Sequence, residues 1–215
     1  MSPVNARKSV PSKIGCFVSV PKCASKSVLE ILALGEERDE DSAEPTERYV
    51  IYENHQRLSV LEARYDLADK YNFAFVRNPY SRLASWYQYH WSIEPYRSFT
   101  FEGWIRQGCP THWSVQNQTN WKQEGLSPLL QHNFLTASHT EMSFVGRMES
   151  FEQDMKKVVD DLNAICQRRG IGHRFEFQNL RVNATRSETR AYNDEMKEIV
   201  FNLFRKDFET YGYDA

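Results

Sequence analysis

The sequence predicts an α/β fold built on a parallel sheet, and three observations carry that expectation. Short apolar, β-prone runs alternate with helix-period segments across residues 14–92, the pattern of strands joined by helical crossovers. The loops that follow the first and third of these runs are rich in Lys, Arg and Ser, as expected where a parallel sheet presents its carboxyl edge to a ligand. Hydrophobic residues make up 40% of the 215 positions and aromatics 13%, enough to bury a core and to exclude disordered, collagen-like and disulfide-dense classes.

Taken in order, Cys16 to Val20 is the first strand, ended by Pro21. Ser25 to Leu34 sets Val28, Leu29, Ile31 and Leu32 at helical spacing. Glu36 to Glu47 opposes seven carboxylates to the single Arg38 and reads as a solvated loop. Tyr49 to Tyr52 is the second strand, Leu58 to Lys70 a helix and Phe73 to Val76 the third strand. Asn78 is placed to cap the next helix, with Pro79 at its first position. The Trp-rich stretch around Trp91, Trp104, Trp113 and Trp121 suggests small helices and loops, whose rings suit either a core or a stacked ligand. Phe144 and Val145 suggest a further strand. Ser150 opens a long helix, with Gln153 placed for a capping box, and a last helix runs from Tyr192 to Phe208. No internal repeat is visible, so the expectation is a tail over 1–13 and one domain over 14–215.

Twenty-seven Lys and Arg face 29 Asp and Glu, a net charge of -2. That balance excludes a broad polyanion surface and so argues against a nucleic-acid partner. The apolar run Ile14 to Val20 is too short to span a bilayer, and the four scattered cysteines show neither a C-x-x-C pair nor zinc-finger spacing. No membrane association, reduced thiols and a cytoplasmic location are therefore expected, and the sequons at Asn117 and Asn183 are silent.

The chemistry concentrates in two loops. In Lys22-Cys23-Ala24-Ser25-Lys26-Ser27, two lysines and two hydroxyls meet the amides at the start of a helix, a combination that attracts anions. A surface turn with incidental lysines is the plain alternative. Walker-type loops need glycine, and this one has none. The second loop begins with Arg77 at a strand end, where a guanidinium fork suits a phosphate, and Arg82 and Ser85 share a face of the following helix. Alternatively Arg82 pairs with a carboxylate on a neighbouring helix, and Ser85 is a small packing residue. A cation at position 77, where metal-dependent phosphoryl-transfer enzymes usually carry an acid, suits a ligand with phosphate at two places and no metal.

Together these segments resemble the sulfotransferases that use 3′-phosphoadenylyl sulfate (PAPS), in particular the carbohydrate enzymes of the heparan and uronyl 2-O and chondroitin/dermatan type. Val20 to Ser27 looks like their 5′-phosphosulfate loop and Phe75 to Tyr87 like their 3′-phosphate motif; His112-Trp113, Phe144 to Glu149 and Lys206 to Tyr213 follow in matching order. The resemblance implies a three-layer, P-loop-NTPase-like sulfotransferase fold and transfer of a sulfuryl group from PAPS to a carbohydrate or small-molecule hydroxyl. The product is adenosine 3′,5′-bisphosphate. It implies that Lys22 and residues Cys23 to Ser27 hold the 5′-phosphosulfate, that Arg77 and Ser85 hold the 3′-phosphate, and that Thr185 and Arg186 close over the nucleotide. Asn78, where many relatives have Asp, and Lys26, where a small hydroxyl residue is common, depart from the pattern.

Transfer to a hydroxyl calls for a base, and His55 follows the second strand at the point where related enzymes carry a catalytic His. Glu53 could orient it or act as base itself, and His112 is the reserve. Lys22 has a second expected role, stabilising charge on the leaving oxygen. A non-catalytic nucleotide- or polyanion-binding module and a P-loop-like nucleotide kinase are the competing classes. The acceptor expected is a small molecule or short glycan.

Overall fold

The structure is a computed structural model, and it describes residues 13–32, 49–90, 99–111, 127, 129–177 and 191–215. Its elements are β1 (Gly15–Val18), α1 (Ser25–Ile31), β2 (Val50–Tyr52), α2 (Leu58–Arg64), β3 (Tyr71–Val76), α3 (Pro79–His90), α4 (Phe101–Arg106), α5 (Gln131–Leu135), β4 (Phe144–Arg147), a 3-10 turn (Met148–Ser150), α6 (Phe151–Arg168) and α7 (Asp194–Tyr211). The chain divides into two compact units: Met1–Val76 with Phe134–Asn183, and Arg77–Asn133 with Ala184–Ala215.

The first unit holds the sheet, in the order β2-β1-β3-β4. Every pairing is parallel, with Cys16 opposite Ile51, Phe17 opposite Phe73 and Ala74 opposite Val145. The α/β class with a parallel sheet flanked by helices is as the sequence predicts. All four residues of β1 are buried, which is why this strand reads as a continuous apolar run with no alternation. Phe17 stacks between Tyr52 and Phe73, at ring separations of 5.9 and 5.3 Å. Along α6, Met155, Val158, Val159, Leu162 and Cys166 form the buried stripe expected of an amphipathic helix.

Strand β1 ends at Val18, short of Val20, and α7 runs on past Phe208 to Tyr211; three further local expectations change. The helix after β2 stops at Arg64, because Tyr65 takes up extended backbone (φ -125°, ψ 150°). Strand β3 starts two residues early, at Tyr71. The capping box at Ser150 and Gln153 does not form: the Ser150 hydroxyl donates to Asp154 (2.7 Å), and the same carboxylate oxygen accepts from the amide of Arg147 (2.7 Å).

The second unit has a core of its own, in which Leu83, Trp86, Trp104, Ile105, Leu130, Val200 and Phe204 are buried together. Trp104 donates its indole N–H to the carbonyl of Pro110 (2.8 Å). Trp86 and Trp104 are thus core residues, the first of the two uses the sequence allows; Trp91, Trp113 and Trp121 lie outside the described residues. Helix α7 is capped by Asn193, whose side chain accepts from the amide of Met196 (2.9 Å). It ends at Gly212, in the left-handed region (φ 61°) that glycine adopts at low cost. Asn78 caps α3 as expected, its side-chain oxygen accepting from the amide of Tyr80 (2.9 Å).

Candidate active site

In the first unit, β1 and β2 are parallel neighbours, so the loops after them emerge at the same edge of the sheet. The loop after β1 turns through two non-glycine residues in the left-handed region, Lys22 (φ 65°) and Ala24 (φ 62°). Such backbone costs energy of order 1 kcal/mol per residue and is maintained by its surroundings. The surroundings here are a buried turn in which the amide of Cys23 donates to the carbonyl of Val20 (3.3 Å) and the Cys23 thiol contacts the carbonyl of Pro21 (3.6 Å). Ala24 is the cap residue of α1 and brings no side-chain acceptor; the first turn carries Ser25, Lys26 and Ser27 and no acid. Local electrostatics therefore favour an anion.

The loop after β2 places His55, also left-handed (φ 51°). Its Nδ1 lies 3.0 Å from the carbonyl oxygen of Ser19 and 3.1 Å from the Ser19 hydroxyl. That hydroxyl donates to the hydroxyl of Ser25 (2.8 Å), which donates to the carbonyl of Val20 (3.3 Å). The candidate base and the candidate donor loop are thus joined through one buried serine. Glu53 behaves otherwise. Strand β2 ends at Tyr52, so strand alternation does not aim Glu53 alongside His55. Its carboxylate is ion-paired with Arg64 and takes a hydrogen bond from the hydroxyl of Tyr65.

In the second unit, Arg77 directly follows the last residue of β3. Its Nε donates to the hydroxyl of Ser81 (3.1 Å), which donates to the carbonyl of Asn78 (3.2 Å). Gln131 clamps the Arg77 backbone on both sides: Oε1 accepts from its amide and Nε2 donates to its carbonyl, each at 2.9 Å. Gln131 is in turn anchored by Asp207, whose carboxylate accepts from the amides of Gln131 (2.9 Å) and His132 (2.8 Å). Asp207 is fully buried. Burial pushes its carboxyl upward, and the nearby Arg82 together with these amides opposes the shift.

Arg82 is 2% exposed and donates to the carbonyl of Leu129 (2.5 Å). Its charge acts on the buried carboxyl of Asp207, on α7, in the sense the carboxylate-pairing alternative expects. Ser85 sits half-buried on α3. Thr185, Arg186 and the reserve base His112 lie outside the described residues. The structure thus joins His55, Ser19 and Ser25 within one unit and Arg77, Gln131 and Asp207 within the other. Ser19, Gln131 and Asp207 carry no chemical signature in the sequence; only the Lys206 to Tyr213 segment pointed to the region of Asp207.

All four cysteines are free and buried, and burial together with the charge of Glu53 pushes the Cys16 thiol up to about 12. Among the described residues no cluster of His, Cys, Asp or Glu is placed to hold a metal ion, and no helix is long and apolar enough to cross a membrane.

A family model described as the sulfotransferase family matches residues 16–214. The chain belongs to the sulfotransferase family. The match runs from the middle of β1 to the penultimate residue, so both loops and the Asp207 anchor fall inside it. Family membership supports sulfotransfer as the general activity and a transferase as the enzyme class. No match was found among curated proteins.

Proposed function

We propose that this sulfotransferase moves a sulfuryl group from PAPS to a hydroxyl of a carbohydrate or small molecule and releases adenosine 3′,5′-bisphosphate. The observation that carries the reading is the contact of His55 with Ser19, which connects a basic side chain to the cationic loop after β1.

The residues of that loop fit a 5′-phosphosulfate. Its backbone is held in a left-handed turn, the first turn of α1 has no acid, and two lysines and two serine hydroxyls sit within six residues. Bound there, PAPS would supply a sulfuryl group already activated for transfer. Lys22 would stabilise the charge that grows on the oxygen bridging phosphate and sulfur as that S–O bond breaks, an effect worth about a hundredfold or more in rate. His55 would take the proton of the acceptor hydroxyl as its oxygen bonds to sulfur. The carboxylate of Glu53 is already engaged by Arg64, so this reading assigns the proton to His55. Arg77, with its Nε on Ser81 and its terminal nitrogens without a partner among the described residues, suits the 3′-phosphate, with Ser85, Thr185 and Arg186 as further contacts. The acceptor is a small molecule or short glycan in this reading, and four free thiols support a cytoplasmic enzyme.

Isothermal titration with adenosine 3′,5′-bisphosphate tests the proposal. Binding is expected well below about 100 μM; a dissociation constant above that, roughly -5.5 kcal/mol or weaker, overturns it. The His55→Ala variant is expected to bind the bisphosphate normally and to lose transfer. Binding that needs Mg²⁺ and prefers ATP points to a kinase. Affinity that falls steeply with salt and ignores the 3′-phosphate points to a polyanion-binding module.

A further inference from the structure

We infer that Ser19 is a positioning residue for the base: its carbonyl sets the tautomer of His55, and its hydroxyl ties the imidazole to the donor loop. The inference rests on the sulfotransfer reading above and adds to it a residue that contacts neither donor nor acceptor.

Ser19 is fully buried, directly beyond the end of β1. Its carbonyl oxygen can only accept, so the ring nitrogen 3.0 Å away must carry a hydrogen. An unprotonated Nδ1 would set two lone pairs against each other at that distance. The neutral ring therefore has its lone pair on Nε2, the nitrogen left to take a proton. The hydroxyl groups agree with this assignment. Ser19 Oγ gives its own hydrogen to Ser25 Oγ at 2.8 Å, and Ser25 Oγ gives its hydrogen to the Val20 carbonyl at 3.3 Å. Ser19 Oγ then has lone pairs toward His55 Nδ1, at 3.1 Å, so all donors point one way, from the ring through Ser19 to the loop.

The backbone makes a local anchor necessary. His55 sits in the left-handed region (φ 51°) without being glycine, a conformation that persists only when neighbouring contacts hold it. A second contact on the same nitrogen restricts rotation of the ring about the first. Because the anchoring serine also bonds Ser25, displacement of the loop after β1 is transmitted to the imidazole.

The test uses the full chain labelled with ¹⁵N at histidine, with the His55 signals assigned by difference from His55→Gln. Two-bond ¹H–¹⁵N spectra of the neutral wild-type ring are expected to give the Nδ1–H tautomer. In Ser19→Ala the carbonyl remains, so the tautomer is retained and the bisphosphate dissociation constant stays within about twofold. Turnover, read as release of sulfate and bisphosphate from PAPS with water as acceptor, is expected to fall roughly three- to tenfold at unchanged KM, the worth of one hydrogen bond. An Nε2–H tautomer in the wild-type chain overturns the inference without any variant, and so does an unchanged kcat in Ser19→Ala. Failure of the wild-type chain to bind the bisphosphate overturns the sulfotransfer reading and this inference with it; binding together with an Nε2–H tautomer overturns this inference alone.

Discussion

The side chain of Gln131 holds the backbone of Arg77 as a neighbouring strand would, accepting from its amide and donating to its carbonyl, both at 2.9 Å. A single amide side chain thus satisfies both polar groups of a residue at the point where the chain leaves β3. Gln131→Leu deprives both groups of their partner. Unfolding free energy should drop by about 1–3 kcal/mol, and affinity for adenosine 3′,5′-bisphosphate should weaken with it. Chemical denaturation and titration calorimetry on the same samples check the pair of effects. A variant that loses stability but keeps full affinity separates the clamp from the ligand.

Arg77→Ala is expected to erase selectivity for the 3′-phosphate. Wild-type chain should bind adenosine 3′,5′-bisphosphate more tightly than adenosine 5′-phosphate by at least tenfold, the scale of a charge-assisted fork. The variant should bind both alike. Competition titrations with the two nucleotides give the ratio directly, and a ratio preserved in the variant assigns the 3′-phosphate elsewhere.

Gly146 in β4 is present because nothing larger fits. A Cβ there would lie 2.6 Å from Cε1 of the Phe75 ring and 3.1 Å from Cβ of Asp154. Phe75 is buried and packed at a tilt against Phe151, with 5.1 Å between ring centroids, so it has little room to retreat. Gly146→Ala should cost about 1–3 kcal/mol from overpacking, seen as a lower thermal midpoint, whereas Gly172→Ala, with open space around its Cβ, should leave the midpoint almost unchanged.

Acid should unfold the protein partly through Glu62. Its side chain is 6% exposed. Burial alone would raise its carboxyl, but the amides of Ser138 and His139, the hydroxyl of Thr140 and the charge of His139 outweigh burial and hold it below the usual carboxylate range. A depressed folded-state value means that stability is present above the unfolded value and is lost as pH falls through the folded one. The stability difference between wild type and Glu62→Gln should therefore be large at neutral pH and shrink on acidification. A difference constant down to pH 3 contradicts the assignment.

What could be read from the sequence was set by local physics. Apolar runs as dense as Cys16 to Val20 and Phe73 to Val76 allow few conformations except buried strands, and Asn78-Pro79 is a start signal for a helix on its own. The candidates Lys22, His55 and Arg77, which fall where the chain leaves a strand, were legible for a related reason: an α/β sheet puts its ligands at that edge. What holds them was not. Ser19 resembles any other serine in an apolar strand, and Gln131 and Asp207 act on Arg77 across tens of residues of sequence. The end of α2 was misjudged because Arg64 and Tyr65 are as compatible with a helix as with an exit from one, and contacts outside the segment decide between them.

Each neighbouring strand pair in this sheet joins distant parts of the chain: Gly15 pairs with Val50 and with Tyr71, and Phe73 with Phe144. Among the described residues no hairpin is available as a seed, so β1 must wait, apolar and unpaired, until much later segments have been synthesised. Closing such long loops before any pairing energy is gained makes refolding slow and concentration-sensitive. The arrangement that gathers the loops after β1 and β2 at one edge also leaves β1, an interior strand of the finished sheet, exposed to aggregation while the chain is still incomplete.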